Sequence, residues 1–345
     1  MTQNAAATTD PSAMRRRALG ALYGLAIGDA LGMPTQDLTQ EQIRDDYGRI
    51  AAFLPAGPHQ IIAACQPAGT VTDDTEQMIL VATMLAQTGS IAALPFARAL
   101  AEWEDSMRER GSLDLLGPST RAAIASIRAG ASAEESGKNG TTNGAAMRIA
   151  PVGVANPPEA LDELVDRVVE ACGVTHNTSL GISSAAAVAA AVSAGVSGAS
   201  RSAAVELGIE AAEIGALRGH QVPGPSIAAR ARLAVDWLPS VPDPARAIYD
   251  VIGTTVASQE SVVAALAICA SIGDPWEAVC LAAGVGGDTD TVAAIVGAIC
   301  GATNGIEAFP ENAVATIQSV NDIHLEDVVD KLLQLRLSTA TSRRA

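Results

Sequence analysis

Aromatic residues are nearly missing from this chain: three Trp, three Tyr and three Phe among 345 residues, 3% in all. A core without them has to be assembled from Ala, Val, Leu and Ile. Small side chains of that kind have high helix propensity and let helices approach closely. Aromatic and β-branched runs, the composition of sheets, are scarce as well. Basic charge is short too, with 22 Lys and Arg against 38 Asp and Glu and a net charge of −16. A nucleic-acid polymer needs a basic face, so it is excluded as the main ligand; a small phosphorylated ligand held by a cation or by backbone amides is not. No run of about 20 uncharged apolar residues stands out, so no membrane span is expected. The thiols Cys65, Cys172, Cys269, Cys280 and Cys300 show no CxxC spacing. Four of them lie in apolar or helical stretches and read as buried small hydrophobes, a pattern that suits a reducing cytoplasm. With only four His, no imidazole-based metal site is indicated.

What is present is helical periodicity on a 48% hydrophobic chain, which excludes disorder. Helices are expected near 15–32, 74–88, 91–110, 118–129, 159–172, 178–195, 200–218, 225–238, 244–252, 259–272, 275–284, 290–304 and 325–336. Gly111, Asn156-Pro157-Pro158, Pro223-Gly224-Pro225 and Gly286-Gly287 punctuate them. One all-α domain over residues 14–337 is expected, between loose tails at 1–13 and 338–345. Arg15-Arg16-Arg17 and the apolar run behind it have the outline of a secretory leader, but Asp29 and recurrent Gly argue against one.

Two acidic helix starts lie far apart in the chain. Thr72-Asp73-Asp74-Thr75 and Gly286-Gly287-Asp288-Thr289-Asp290-Thr291 each put two carboxylates among hydroxyls in a first turn. Either alone suits an N-cap, since Asp there accepts amide hydrogen bonds and faces the positive end of the helix dipole. Taken together, four such carboxylates repel unless solvated or sharing cations, and hard cations want this oxygen set. A hard divalent cation is therefore favoured over two separate caps, and a two-metal site follows if the two starts face each other. The loop Gly140–Arg148 is rich in small residues and suits an anion, with Arg148 adding a charge-assisted bond, or is a mere linker. Thr175-His176 reads either as a ligand donor or as a capping His, and Asp29 as a satisfied structural carboxylate.

These motifs in this order resemble the ADP-ribosylglycohydrolase family. The matching stretches are GALYGLAIGDALGMP (20–34), TDDT (72–75), NGAAMR (143–148), TH (175–176) and GGDTDT (286–291), with LGPST (116–120) and SQESV (258–262) less distinctive. The resemblance implies an all-α fold, two Mg²⁺ or Mn²⁺ ions held by Thr72, Asp73, Asp74, Asp288, Asp290 and Thr291, and hydrolysis at the anomeric carbon of a ribose. It also implies substrate contacts from Asn143, Gly144, Ala145, Met147 and His176. One departure stands out: where family members commonly carry Glu shortly after the GDALG segment, this chain has Gln36, with Asp37 and Glu41 nearby. Asp73, Asp74 and Asp290 are the expected proton acceptors of the attacking water. An ADP-ribosylated or small-molecule substrate is expected. The alternatives are a nucleoside or nucleotide N-ribohydrolase on the same metals, and an inactive metal- or ligand-binding relative.

Overall fold

The computed structural model describes residues 10–112 and 115–342. The first helix, α1, is Pro11–Gly32, opened by Asp10, whose carboxylate accepts from the Ser12 amide at 3.1 Å, with Pro11 in the first turn. It is followed by α2 Gln40–Tyr47, α3 Asp73–Thr88, α4 Ala93–Arg110, α5 Pro118–Arg128 and α6 Ala133–Ser136. Next come α7 Ala150–Ala155, α8 Leu161–Cys172, α9 Ser179–Val196, α10 Arg201–Gly215, α11 Ile227–Trp237 and α12 Pro244–Ala247. The chain closes with α13 Ser258–Ser271, α14 Pro275–Ala283, α15 Thr289–Asn304, α16 Glu311–Asn321 and α17 Glu326–Ser342. No strand occurs among the described residues, only isolated bridges such as Leu38 with Gly287 and Thr142 with Ala257. The expected all-α class holds.

Differences fall at ends and in short elements. Helix starts at Pro11 and continues to Ser342, so residues 11–13 and 338–342 are helical and not loose; 1–9 and 343–345 lie outside the described residues. The expected helix 244–252 is split, because Ile248–Ile252 continues α12 as a π-turn. The periodicity reading missed α2, α6, α7 and α16, each eleven residues or fewer. Short helices hold few repeats of a pattern, and packing decides them.

The centre of the molecule is α1, α9 and α15. Residues 18–32, 179–196 and 289–303 of these helices are buried. Helix α9 is, against expectation, long and apolar enough to cross a membrane by length and composition, with mean hydropathy 1.6; all of it is buried inside this fold. Helices α1 and α15 run antiparallel at backbone contact: a Cβ on Gly24 would sit 2.3 Å from the Gly297 carbonyl oxygen, and one on Gly297 1.9 Å from that of Gly24. This contact brings the C-terminal end of α1 against the N-terminal end of α15, where the Thr289 hydroxyl donates to the Gly32 carbonyl at 3.0 Å.

Candidate active site

Asp29, in the last turns of α1, fixes the first acidic start. Its carboxylate accepts from the Thr72 amide and hydroxyl (2.9 and 2.8 Å) and from the Thr75 amide and hydroxyl (3.1 and 2.5 Å). Helix α3 therefore begins against α1 at the same end where α15 begins. Even with these donors, complete burial raises the Asp29 carboxyl to about 6. Asp29 is the structural carboxylate expected. Thr72 is the N-cap of α3 and is spent on Asp29 and on the Asp74 amide. It does not line the cleft formed by the two starts.

That cleft has a volume of ≈ 260 Å³, and Asp73, Asp74, Asp288 and Thr291 line it. Asp290 lies underneath, fully buried. None of the four carboxylates is used up as a helix cap: Thr72 caps α3, and Asp288, at the N-cap of α15, makes no capping bond. Asp288 instead accepts from the Asn143 side-chain amide at 2.5 Å, and Asp73 from that of Gln77 at 3.1 Å. Oδ1 of Asp74 and both oxygens of Asp290 are buried and receive no hydrogen bond. Burial, then the charges of Asp290, Asp29 and Asp73, push the Asp74 carboxyl well above the usual range. Burial, then Asp288, do the same to Asp290, while burial followed by Asp29 and Asp288 raises Asp73. Burial lifts Asp288 to about 6 despite its bond to Asn143.

Orphaned carboxylate oxygens and mutual repulsion are what a cation relieves, so the donor set fits a hard divalent ion. As the side chains stand, no group of three or more His, Cys, Asp or Glu among the described residues is drawn together closely enough to hold a metal ion by itself. An ion here would share its coordination among carboxylates, the Thr291 hydroxyl and water, the mixed shell that Mg²⁺ favours.

The loop after α6 supplies one wall. Asn143 is anchored to the Ser261 hydroxyl at 2.9 Å, and Ser258 donates to the Thr141 carbonyl at 2.5 Å, so the SQESV stretch at the start of α13 holds this loop. Thr142, Asn143, Gly144 and Met147 line the cleft. Ala145 and His176, expected beside the substrate, do not line it; both are buried behind the lining. His176 braces the loop, with Nε2 at 2.9 Å from the Thr142 hydroxyl and Nδ1 at 2.7 Å from that of Thr175. Burial and the Arg148 charge hold its imidazole well below the usual range, hence neutral. Arg148 is also displaced from its expected role: it is fully buried over the Phe96 ring, 5.1 Å from the centroid, and does not line the cleft.

The remaining wall includes Leu116, Gly117, Pro118 and Thr120 of the LGPST stretch, and Thr255 and Val256, which sequence reasoning missed. Glu260, which accepts from the Thr255 amide and hydroxyl (3.2 and 2.6 Å), and Asn143, whose amide donates to the Val256 carbonyl at 3.0 Å, tie this pair to motifs already noticed. Gln36 lines the cleft with a buried, unpartnered Oε1. Of its acidic neighbours Asp37 reaches the cleft and Glu41, on α2, does not. Asp37 is held at φ 59°, with its amide donating to the Gly287 carbonyl at 2.7 Å.

The sequence model of the ADP-ribosylglycohydrolase family matches residues 10–341. The chain belongs to this family. It is 33% identical to the uncharacterized protein YegU of Escherichia coli (strain K12), over 93% of this chain and 97% of that one. It is 27% identical to the ADP-ribosylarginine hydrolase Tri1 of Pseudomonas putida (strain GB-1), over 91% and 78% of the two chains. A solved chain titled "ADP-ribosylglycohydrolase-related protein complex" superposes with a TM-score of 0.69 over 94% of this chain and 99% of that one. At 24% identity that likeness bears on the fold alone.

Proposed function

We propose that this ADP-ribosylglycohydrolase family member is a divalent-cation-dependent hydrolase that cleaves the N- or O-glycosidic bond at the ribose anomeric carbon of an ADP-ribosyl substrate. The observation that carries the reading is the set of buried carboxylate oxygens on Asp74 and Asp290 that neither cap a helix nor accept a hydrogen bond. Asp73, Asp74, Asp288, Asp290 and Thr291 would hold two Mg²⁺ or Mn²⁺ ions, with Thr72 supporting them through the α3 turn. When bound, such ions supply positive charge where the oxygens of the substrate gather.

The chain's own groups do the rest. Gln77 and Asn143 aim Asp73 and Asp288, and the loop of Thr142 to Met147 walls the ribose against the carboxylates. Asp74 faces the cleft with an uncommitted oxygen and accepts the proton of the attacking water. Water oxygen bonds to the anomeric carbon as the glycosidic bond breaks through an oxocarbenium-like state, and the bonding pair leaves with the departing group. Gln36 has no proton to give, so a leaving group that needs protonation takes it from solvent or from Asp37.

A second reading, a nucleoside or nucleotide N-ribohydrolase, is favoured by size. The cleft of ≈ 260 Å³ falls below the roughly 300–1,000 Å³ that commonly encloses a drug-sized ligand. The test is release from N- and O-linked ADP-ribosyl substrates beside a nucleoside panel, with Mg²⁺ or Mn²⁺ and with chelator. Cation-dependent turnover of the ADP-ribosyl substrates is expected. Turnover of nucleosides alone moves the protein to the second reading, and silence on both overturns the hydrolase.

A further inference from the structure

Among the described residues two arginines are buried, and they are spent differently. Arg336 donates mainly to backbone, to the carbonyls of Gly153, Val154 and Asn156 (3.0, 3.2 and 2.5 Å) and of Ser193 (3.0 Å), with the Ser193 and Ser197 hydroxyls beside them (3.3 and 2.5 Å), which ties helix ends together. Arg148 donates to two side chains instead, Gln77 Oε1 at 2.5 Å and Thr175 Oγ1 at 2.6 Å. Each of these continues to the cleft. We propose that Arg148 is a positioning residue with two arms, aiming the Asp73 carboxylate through Gln77 and holding Thr142 in the cleft wall through Thr175 and His176.

The guanidinium, which only donates, sets the direction of the bonds on the Gln77 arm, and the Thr142 hydroxyl, which donates to Ser119, sets those on the other. Because Gln77 Oε1 accepts from Arg148, the amide Nε2 is turned to Asp73 Oδ2, at 3.1 Å. On the other arm Thr142 donates to the Ser119 hydroxyl at 2.8 Å, so its oxygen accepts from His176 Nε2–H. Nδ1 of that tautomer is then the acceptor, and Thr175, accepting from Arg148, gives it its own proton. Gln77, Arg148, Thr175 and His176 are all buried, so no water competes for these bonds. A planar fork can span the two acceptors at once, which the single point charge of Lys cannot. The carboxylate whose charge acts on Arg148 is Asp73, so the cation also offsets part of the acidic cluster in front of it.

The Asp73 arm rests on the metal reading above; the Thr142 arm does not, and the experiment separates them. Mn²⁺ affinity and amide hydrogen exchange of residues 140–147 are measured on the full chain below its melting range. Gln77→Met is expected to weaken Mn²⁺ binding about tenfold, the usual scale for losing a partner behind a metal ligand, and to leave the exchange unchanged. Thr175→Val is expected to speed exchange of 140–147 and leave Mn²⁺ binding unchanged, while Arg148→Met does both. Arg336→Met, the control for burial alone, lowers Tm and moves neither readout. Should Arg148→Met fail to fold, the other two variants still test each arm. Mn²⁺ affinity of Gln77→Met within about twofold of the parent overturns the Asp73 arm. Unchanged exchange in Thr175→Val overturns the other. A parent protein that binds no Mn²⁺ sinks the metal reading and the Asp73 arm with it, and the exchange data then decide what Arg148 does.

Discussion

Asp288 stands at the N-cap of α15 without capping it, and Asp290 is buried in the first turn with both oxygens bare. An acidic helix start whose carboxylates cap nothing costs stability unless something else takes their charge. Without a cation, then, Asp288→Asn combined with Asp290→Asn is expected to raise Tm above that of the parent by removing repulsion. With Mn²⁺ the order reverses: the parent gains and the variant does not, and cation-dependent turnover is lost. Melting curves with and without chelator check both halves. The same residues set a pH dependence. Asp288 and Asp29 titrate near 6 in the fold against an ordinary 3.8, so the folded state holds protons that the unfolded chain releases. Stability is present in full below the unfolded value and is lost as pH rises through the folded one. Chelated protein should therefore melt lower at each step between about pH 4 and pH 7, and saturating Mn²⁺ should flatten that slope.

Among the helices, the contact between α1 and α15 decides where the site lies. At Gly24 the added Cβ of an alanine meets backbone, the Gly297 carbonyl, which no rotamer change can move aside. Gly24→Ala is expected to destabilise by about 1–3 kcal/mol, the range for overpacking, read from denaturant or thermal unfolding. Unchanged stability would mean that the two helices do not touch at backbone distance. Because this contact sets the N-terminus of α15 against the end of α1 that holds Thr72, part of the loss should also appear as weaker Mn²⁺ binding. The long central helices were legible from apolar periodicity, as were both acidic starts. The short α2 and α7 were not, since α7 owes its burial to α9 and α17 and not to any repeat of its own.

Across the whole molecule, burial sorts the cysteines: Cys65 is exposed, whereas Cys172, Cys269, Cys280 and Cys300 are buried. A thiol reagent should modify one equivalent in the native protein and five after unfolding, as counted by mass spectrometry. A cation at about 100 times its Kd should stabilise the fold by about 2.7 kcal/mol, visible as a concentration-dependent Tm.

The sequence alone determined the all-α class, the Ala-rich helices and the two acidic starts, because helix propensity, apolar spacing and first-turn chemistry are local. Only the tertiary structure decided that Asp29 draws one start to the other, that Arg148 and His176 stand behind the cleft, and that Asp37 enters it where Glu41 does not. Those outcomes depend on which partner each polar group meets. A fully buried guanidinium or carboxylate takes the donors and acceptors that packing brings within reach, and no spacing along the chain records them.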